Sequence, residues 1–336
     1  MKRFLIKISY TVLPFLLPFC IIGIFYNFCI SPNESGDLGR LGKIAFGKDY
    51  VQAIESNYLT DIMVDNFNGE ICNNYDIITI GDSFSQQGVF GYQNYLAHYK
   101  NERILNIQCF RGMGPEQTAL ILFNSGFFTL FSPKVVIVTS CERNIVNRLL
   151  PLKFSTQYLR DEILKQYQKK RVINDEKDFV HETINYLRLC LNYNNPVRRV
   201  KLNQPLFSVY KNELYFYKDD LLRTDINGDE LNIIYENISS MNQQFTSNGI
   251  QFFYIITPDK YDLYTPFIID NPYPINKTLD YFNFPDSSYI INTKLFLQPL
   301  IKNGIKDVYM VNDTHWSYIA SKALAEKLTQ MINFKN

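Results

Sequence analysis

Five runs of β-branched and aromatic residues, spaced along the chain with helical stretches between them, constrain its fold more than any other feature. They read I-I-T-I before Gly81, R-I-L-N-I-Q-C-F at 103–110, K-V-V-I-V-T-S at 134–140, I-Q-F-F-Y-I-I-T at 250–257 and D-V-Y-M-V at 307–311. The runs are nearly continuous rather than alternating, as expected of strands buried on both faces. Strands interleaved with helices predict an α/β fold in which a mostly parallel, five-stranded sheet is covered on both sides. Gly114-Pro115 and Ser132-Pro133 punctuate the helix between the second and third runs. At 336 residues and 46% hydrophobic, the chain is long enough to bury such a core.

Residues 145–230 break the rhythm. This charged, Tyr- and Asn-rich region holds a helix-like Q-Y-L-R-D-E-I-L-K-Q-Y-Q-K-K-R and a hairpin-like L-F-S-V-Y-K-N-E-L-Y-F-Y-K-D-D, and it reads as an insertion after the third core strand. Such an insertion either shapes access to a site or serves packing alone.

The N-terminus sets a second constraint. Lys2, Arg3 and Lys7 precede a stretch without charge from Ile8 to Asn33, which exceeds the roughly 20 residues needed to cross a bilayer. Basic residues before it and Glu34 after it predict a cytoplasmic N-terminus and an external domain. A cleaved signal peptide is the competing reading, although the apolar region is long and no small-residue cut site follows. Pro14 and Pro18 would bend the helix. The organisation is then 1–33 as a transmembrane signal anchor, 34–74 as a connector leading into the domain, and 75–334 as the domain itself.

Thirty-four basic against 33 acidic residues, with no long basic run, leave no electrostatic footprint for nucleic acid. Of six cysteines, Cys72, Cys109, Cys141 and Cys190 lie beyond the apolar stretch without metal-ligand spacing. They read as small buried residues; no zinc or other metal site and no cofactor is expected.

Chemistry enters at Y-D-I-I-T-I-G-D-S-F-S-Q-Q-G, residues 75–88. Ser83 follows the first core strand, at the carboxyl edge where open α/β sheets bind ligands. Either Asp82 or Ser83 merely caps the next turn, or Ser83 is a nucleophile, which then needs a base. The chain has only three histidines. His98 sits on the helix after Ser83, with an exposed position beside Lys100 as its default; His181 lies in the insertion. His315 lies in V-N-D-T-H-W-S-Y, before a helix that Ser317 can cap and that runs to about Ile332. Asp313 can fold back onto the imidazole Nδ1–H, and the positive end of the helix disfavours imidazolium, which keeps the ring a base. A helix cap with a buried tryptophan is the plainer reading of that motif.

Together, G-D-S-F-S after the first core strand and D-T-H-W-S near the C-terminus resemble the SGNH (GDSL-type) hydrolase superfamily. The closest resemblance is to its membrane-anchored branch related to alginate O-acetyltransferases, over about residues 40–334. The resemblance implies a flavodoxin-like three-layer α/β/α domain with Ser83 as nucleophile, His315 as base and Asp313 as its orienter. It also places the backbone N–H groups of Ser83 and Gly112 in an oxyanion hole, although Gly112 and Gly114 read equally well as turn glycines. The family's glycine-containing third motif is missing from V-T-S-C-E-R-N-I-V-N, so Asn144 stands slightly out of register as third donor. Arg143, Lys260 and Trp316 are the expected substrate-facing residues, with a solvated loop as the alternative for Lys260.

The implied activity is transfer of an acyl group, most simply acetyl, to or from hydroxyls of a cell-envelope or exported polysaccharide. The acyl donor would be a multi-span membrane acyltransferase. A glycan O-acetyl esterase is the alternative within the same chemistry, and a non-catalytic assembly partner of an envelope polysaccharide complex is the alternative outside it.

Overall fold

The computed structural model describes residues 2–25, 59–71, 74–155, 158–168, 197–222, 226–284 and 287–332. His181, Cys29, Cys72 and Cys190 lie outside the described residues, as does most of the 34–74 connector.

The chain begins with helix α1, Lys2–Phe25, which contains Pro14 and Pro18. Among the residues whose side chains are described, no helix is long and apolar enough to cross a membrane. The domain is built on a six-stranded sheet of β1 (Val64–Asn66), β2 (Ile77–Gly81), β3 (Ile104–Gln108), β4 (Val135–Cys141), β7 (Gln251–Thr257) and β8 (Ile290–Asn292). Across the sheet the order is β1-β3-β2-β4-β7-β8, and every pairing is parallel. All residues of β2 and β4 are buried, which is why their sequences run apolar without alternation.

Helices cover both faces. Alternate residues of each strand enter one of two cores: Ile77, Ile104, Val135, Ile137, Phe253 and Ile255 on one side, Ile78, Ile80, Leu105, Val136, Val138 and Ile256 on the other. The first face carries α2 (Tyr92–Lys100), packed through Leu96 and Ala97 beside Ala320 and Leu324 of the C-terminal helix. The second carries α3 (Pro115–Asn124), α4 (Glu142–Leu149) and α6 (Gly228–Ser247). Pro115 occupies the first turn of α3, where its missing N–H leaves no bond unmade.

The insertion contributes α5 (Arg160–Gln168) and a two-stranded antiparallel ribbon of β5 (Val197–Lys201) and β6 (Glu213–Tyr217). The hairpin expected within 206–220 is therefore formed instead between V-R-R-V-K and E-L-Y-F-Y. Tyr167 Oη of α5 donates to the Gln108 carbonyl at 2.7 Å, which ties the insertion to the end of β3.

Two expectations about the sheet are corrected. It has six strands rather than five, and 307–311 is not one of them. Tyr309 makes a single antiparallel bridge to Trp316, and β8 occupies the edge of β7. The run is apolar because it is a buried loop: Val308, Tyr309 and Val311 are fully enclosed. Packed beside it are α7 (Lys260–Tyr264) and α8 (Lys294–Lys302), which precede it in the chain, and the final helix α9 (Tyr318–Met331), which follows.

Candidate active site

The strand order reverses at β2: the chain moves to β3 on one side and returns to β4 on the other. A crevice opens at the carboxyl ends of the strands where connections leave in opposite directions. Asp82 bridges it. Its Oδ2 accepts from the Cys141 N–H at the end of β4 at 2.8 Å, and its Oδ1 accepts from the Phe84 N–H at 3.2 Å. The aspartate thereby caps the single turn Ser83–Ser85 and leaves Ser83 exposed at the mouth.

Gly81 makes that turn possible. A Cβ there would fall 2.0 Å from Ser85 Oγ and 3.2 Å from Thr139 Cβ, so no side chain fits between the strand end and the returning turn. Gly81→Ala is expected to lower stability by about 2–3 kcal/mol through forced backbone shifts. Chemical denaturation checks this, and an unchanged midpoint would refute the close approach.

The opposite wall is the loop from Tyr309 to Trp316. It is closed by Met310 N–H to His315 O at 3.1 Å and by Ser317 N–H to Val308 O at 3.0 Å. Ser317 Oγ caps α9 by accepting from the Ile319 N–H at 3.1 Å, as the sequence indicated. Within the loop, His315 Nδ1 lies 2.6 Å from Asp313 Oδ1, which also accepts from the His315 N–H at 2.9 Å. Backbone and ring are thus both fixed by one carboxylate. The imidazole side chain is 17% exposed, and its Nε2 is enclosed as well as its Nδ1 edge.

Phe84 and Gln87 join the two walls. The Phe84 ring lies 4.8 Å from the imidazole and 5.0 Å from the Trp316 ring, and Gln87 Nε2 donates to the Trp316 carbonyl at 3.2 Å. Ser83, one residue from Phe84, therefore shares a sheet edge with the Asp313–His315 pair.

The other expected site residues fall elsewhere. Gly112 sits exposed in a turn at φ +76°, where a glycine is favoured, with nothing within 4 Å of its absent Cβ. Asn144, half-buried in the first turn of α4, donates to Cys141 Sγ at 3.0 Å. Arg143 lies half-buried in the first turn of α4. It is ion-paired with Asp220 of the insertion and lies 3.3 Å from Asp259 after β7, so it braces three segments together. Trp316 is fully buried between Phe84 and Tyr92 and offers no surface to a sugar. Lys260 is neither substrate-facing nor solvated. It is 1% exposed and donates to the carbonyls of Met310, Val311 and Asp313. His98 is half-buried rather than exposed, with Nε2 at 2.9 Å from the Asp61 carbonyl.

Sequence reading missed Arg148. Its Nη1 donates to Asp82 Oδ2 at 3.0 Å and to Ser140 Oγ at 2.7 Å, and its aliphatic stem leaves no room for a Cβ at Gly114. One arginine thus meets the Ser83 turn through its guanidinium and the glycine loop through its stem. Its only sequence signal is a helical register that puts it one turn past Asn144.

Burial, with Asp82 and Glu116 nearby, pushes the Cys109 thiol up to about 12, and burial next to Asp82 and Asp259 holds Cys141 well above the ordinary thiol range. Neither forms thiolate near neutral pH. Among the described residues, no group of three or more His, Cys, Asp or Glu is arranged to hold a metal ion. Compared with family models, curated proteins and solved structures, the chain gives no match.

Proposed function

We propose that this chain is a membrane-anchored serine acyltransferase of the SGNH type, acting on hydroxyls of a cell-envelope or exported polysaccharide. The observation that carries the reading is the 2.6 Å Asp313–His315 pair, set against Phe84 at the edge where Ser83 is exposed. Counted over its five central and far-edge strands, the sheet order matches the flavodoxin-like doubly wound pattern, with β1 added at one edge. That pattern supports the family resemblance of the two motifs.

The chemistry follows from the groups. His315 takes the Ser83 hydroxyl proton while Oγ adds to the carbonyl carbon of an acyl donor, and Asp313 stabilises the imidazolium. The carbonyl–leaving-group bond then breaks, and the departing oxygen or sulfur takes the proton from His315. A sugar hydroxyl next gives its proton to His315 and attacks the acyl-serine; the carbonyl carbon–Oγ bond breaks, and Ser83 Oγ takes the proton back from His315. Backbone N–H groups of Ser83 and Gly112 are the candidate donors to the oxyanion. With water as acceptor, the same steps give an esterase.

Incubating the purified chain with an aryl acetate, with and without an oligosaccharide, tests the reading. Acceptor-dependent sugar acetylation supports the transferase, release of acetate alone supports the esterase, and no turnover sinks both in favour of an assembly partner.

Helix α1 supports the anchor. Phe15, Leu16, Leu17, Phe19, Ile21 and Ile22 are all exposed on it, and a helix apolar on all sides suits lipid rather than water. The full chain is expected to remain in the membrane fraction through a carbonate wash, with a C-terminal reporter on the external side. Recovery as a shortened soluble chain would instead make the segment a cleaved signal.

A further inference from the structure

Segment 310–313 turns its carbonyl oxygens inward onto one side chain. Lys260 Nζ donates to Met310 O at 2.6 Å, Val311 O at 3.0 Å and Asp313 O at 3.0 Å, and lies 5.3 Å from the centre of the Phe207 ring. An ammonium has three N–H donors, and this loop supplies three acceptors. The cation is solvated by peptide dipoles where water does not reach. Without it, these enclosed carbonyls would each lose a charged donor, which costs free energy and loosens the segment that the Asp313 N–H to Met310 O contact at 3.5 Å spans.

Asp313 is the last of these acceptors, and its side chain is the group that fixes both the imidazole and the backbone of His315. We infer that Lys260 is a positioning residue that sets the Asp313–His315 pair against the Ser83 turn; its bearing on turnover rests on the acyltransferase reading above. Lys260 does not touch the reacting atoms and acts through the loop. Two other ties, Tyr309 Oη to Pro258 O at 2.6 Å and Tyr309 N–H to Tyr264 Oη at 3.2 Å, hold the base of the loop independently, so removing the ammonium should loosen its tip before its root.

The test uses the full chain in detergent micelles, with Lys260→Met, Lys260→Arg, Asp313→Asn and the Lys260→Met/Asp313→Asn double variant. Two readouts are taken: kcat and KM on an aryl acetate, and the proton resonance of His315 Nδ1 in histidine-labelled protein. Lys260→Met should lower kcat by about 10- to 100-fold with KM little changed, as losses of supporting hydrogen bonds around a reactive centre do. The shared Nδ1 proton signal should weaken or vanish, and Lys260→Arg, which keeps charge and donors, should restore it in part. In the Asp313→Asn background Lys260→Met should add little, because both act on one pair. Multiplying effects in the double variant, or an unchanged Nδ1 resonance in Lys260→Met, would overturn the inference. Loss of folding in both single Lys260 variants would also overturn it, by making Lys260 a general core brace. The resonance is read without turnover, so an inactive wild-type chain would defeat the acyltransferase reading while leaving this placement of Lys260 to be decided by the spectrum.

Discussion

Ser83→Ala is expected to abolish turnover of an activated acetate ester while leaving the unfolding midpoint close to that of the wild type. The turn does not depend on the hydroxyl. Asp82 caps it, the Ser83 carbonyl accepts from the Gln86 N–H at 3.1 Å, and the Ser83 side chain faces solvent. Activity, by contrast, depends on it entirely if Oγ carries the acyl group, and a loss of roughly 10⁴-fold or more is the scale for residues acting as one unit. His315→Ala should do nearly as much, and the double variant should be little worse than either. Asp313→Asn removes the charge that supports the imidazolium and disturbs the His315 N–H contact, so its cost should be smaller but substantial. His98→Ala breaks only a contact with the Asp61 carbonyl, and with His181→Ala it completes the set of histidines, both expected near wild-type turnover. Full ester turnover by well-folded Ser83→Ala would make Ser83 a turn residue and hand the function to the assembly-partner reading.

What could be read from the sequence was what is encoded locally. The four long strands, the Gly81-Asp82-Ser83 turn, the Ser317 cap and the Asp313–His315 pair each depend on residues within a few positions of one another. The edge strands β1 and β8 span three residues each, too few to show any period. The 307–311 run misled because burial, not strand pairing, makes it apolar; Tyr309 and Trp316 fill a core beneath the crevice. Lys260 was misread for a different reason. Lysines are rarely enclosed, and its partners are backbone carbonyls some 50 positions further on, which leave no mark on side-chain identity. Trp316 and Arg143 stand beside site residues in sequence, yet one turns into the core and the other is held by Asp220 and Asp259. Proximity in sequence places the backbone at the edge and says nothing of where each side chain goes.

Arg148→Met should be the most destabilising single change near the crevice, and more so at pH 8 than at pH 5. Burial works against the charge of Arg148, but the Glu116 and Asp82 carboxylates hold it protonated above its ordinary range. Burial pushes the Glu116 carboxyl up, opposed chiefly by Arg148 and by Tyr254, whose Oη donates to Glu116 Oε1 at 2.6 Å. Removing the guanidinium leaves Asp82 with one donor fewer and Glu116 enclosed without a counter-charge. Breaking a buried pair in this way costs about 3–5 kcal/mol, and the lower end applies because the Arg148 side chain is 20% exposed. The pH dependence follows from Glu116. An acid whose folded pKa is raised holds its proton in the native state after the unfolded chain has lost it, so its contribution to stability is present below the unfolded pKa and is lost as pH rises. Without Arg148 that raise grows, and the penalty widens from mildly acidic to mildly alkaline conditions. Glu116→Gln in the Arg148→Met background should therefore recover part of the loss at pH 8 and little at pH 5, as measured by denaturant titration at both values. A cost under about 1 kcal/mol at pH 8, or one equal at the two pH values, would show that the guanidinium is not the counter-charge of this network. Because the guanidinium also holds Asp82 beneath Ser83, any turnover that depends on the Ser83 turn should fall even in the fraction of Arg148→Met that remains folded.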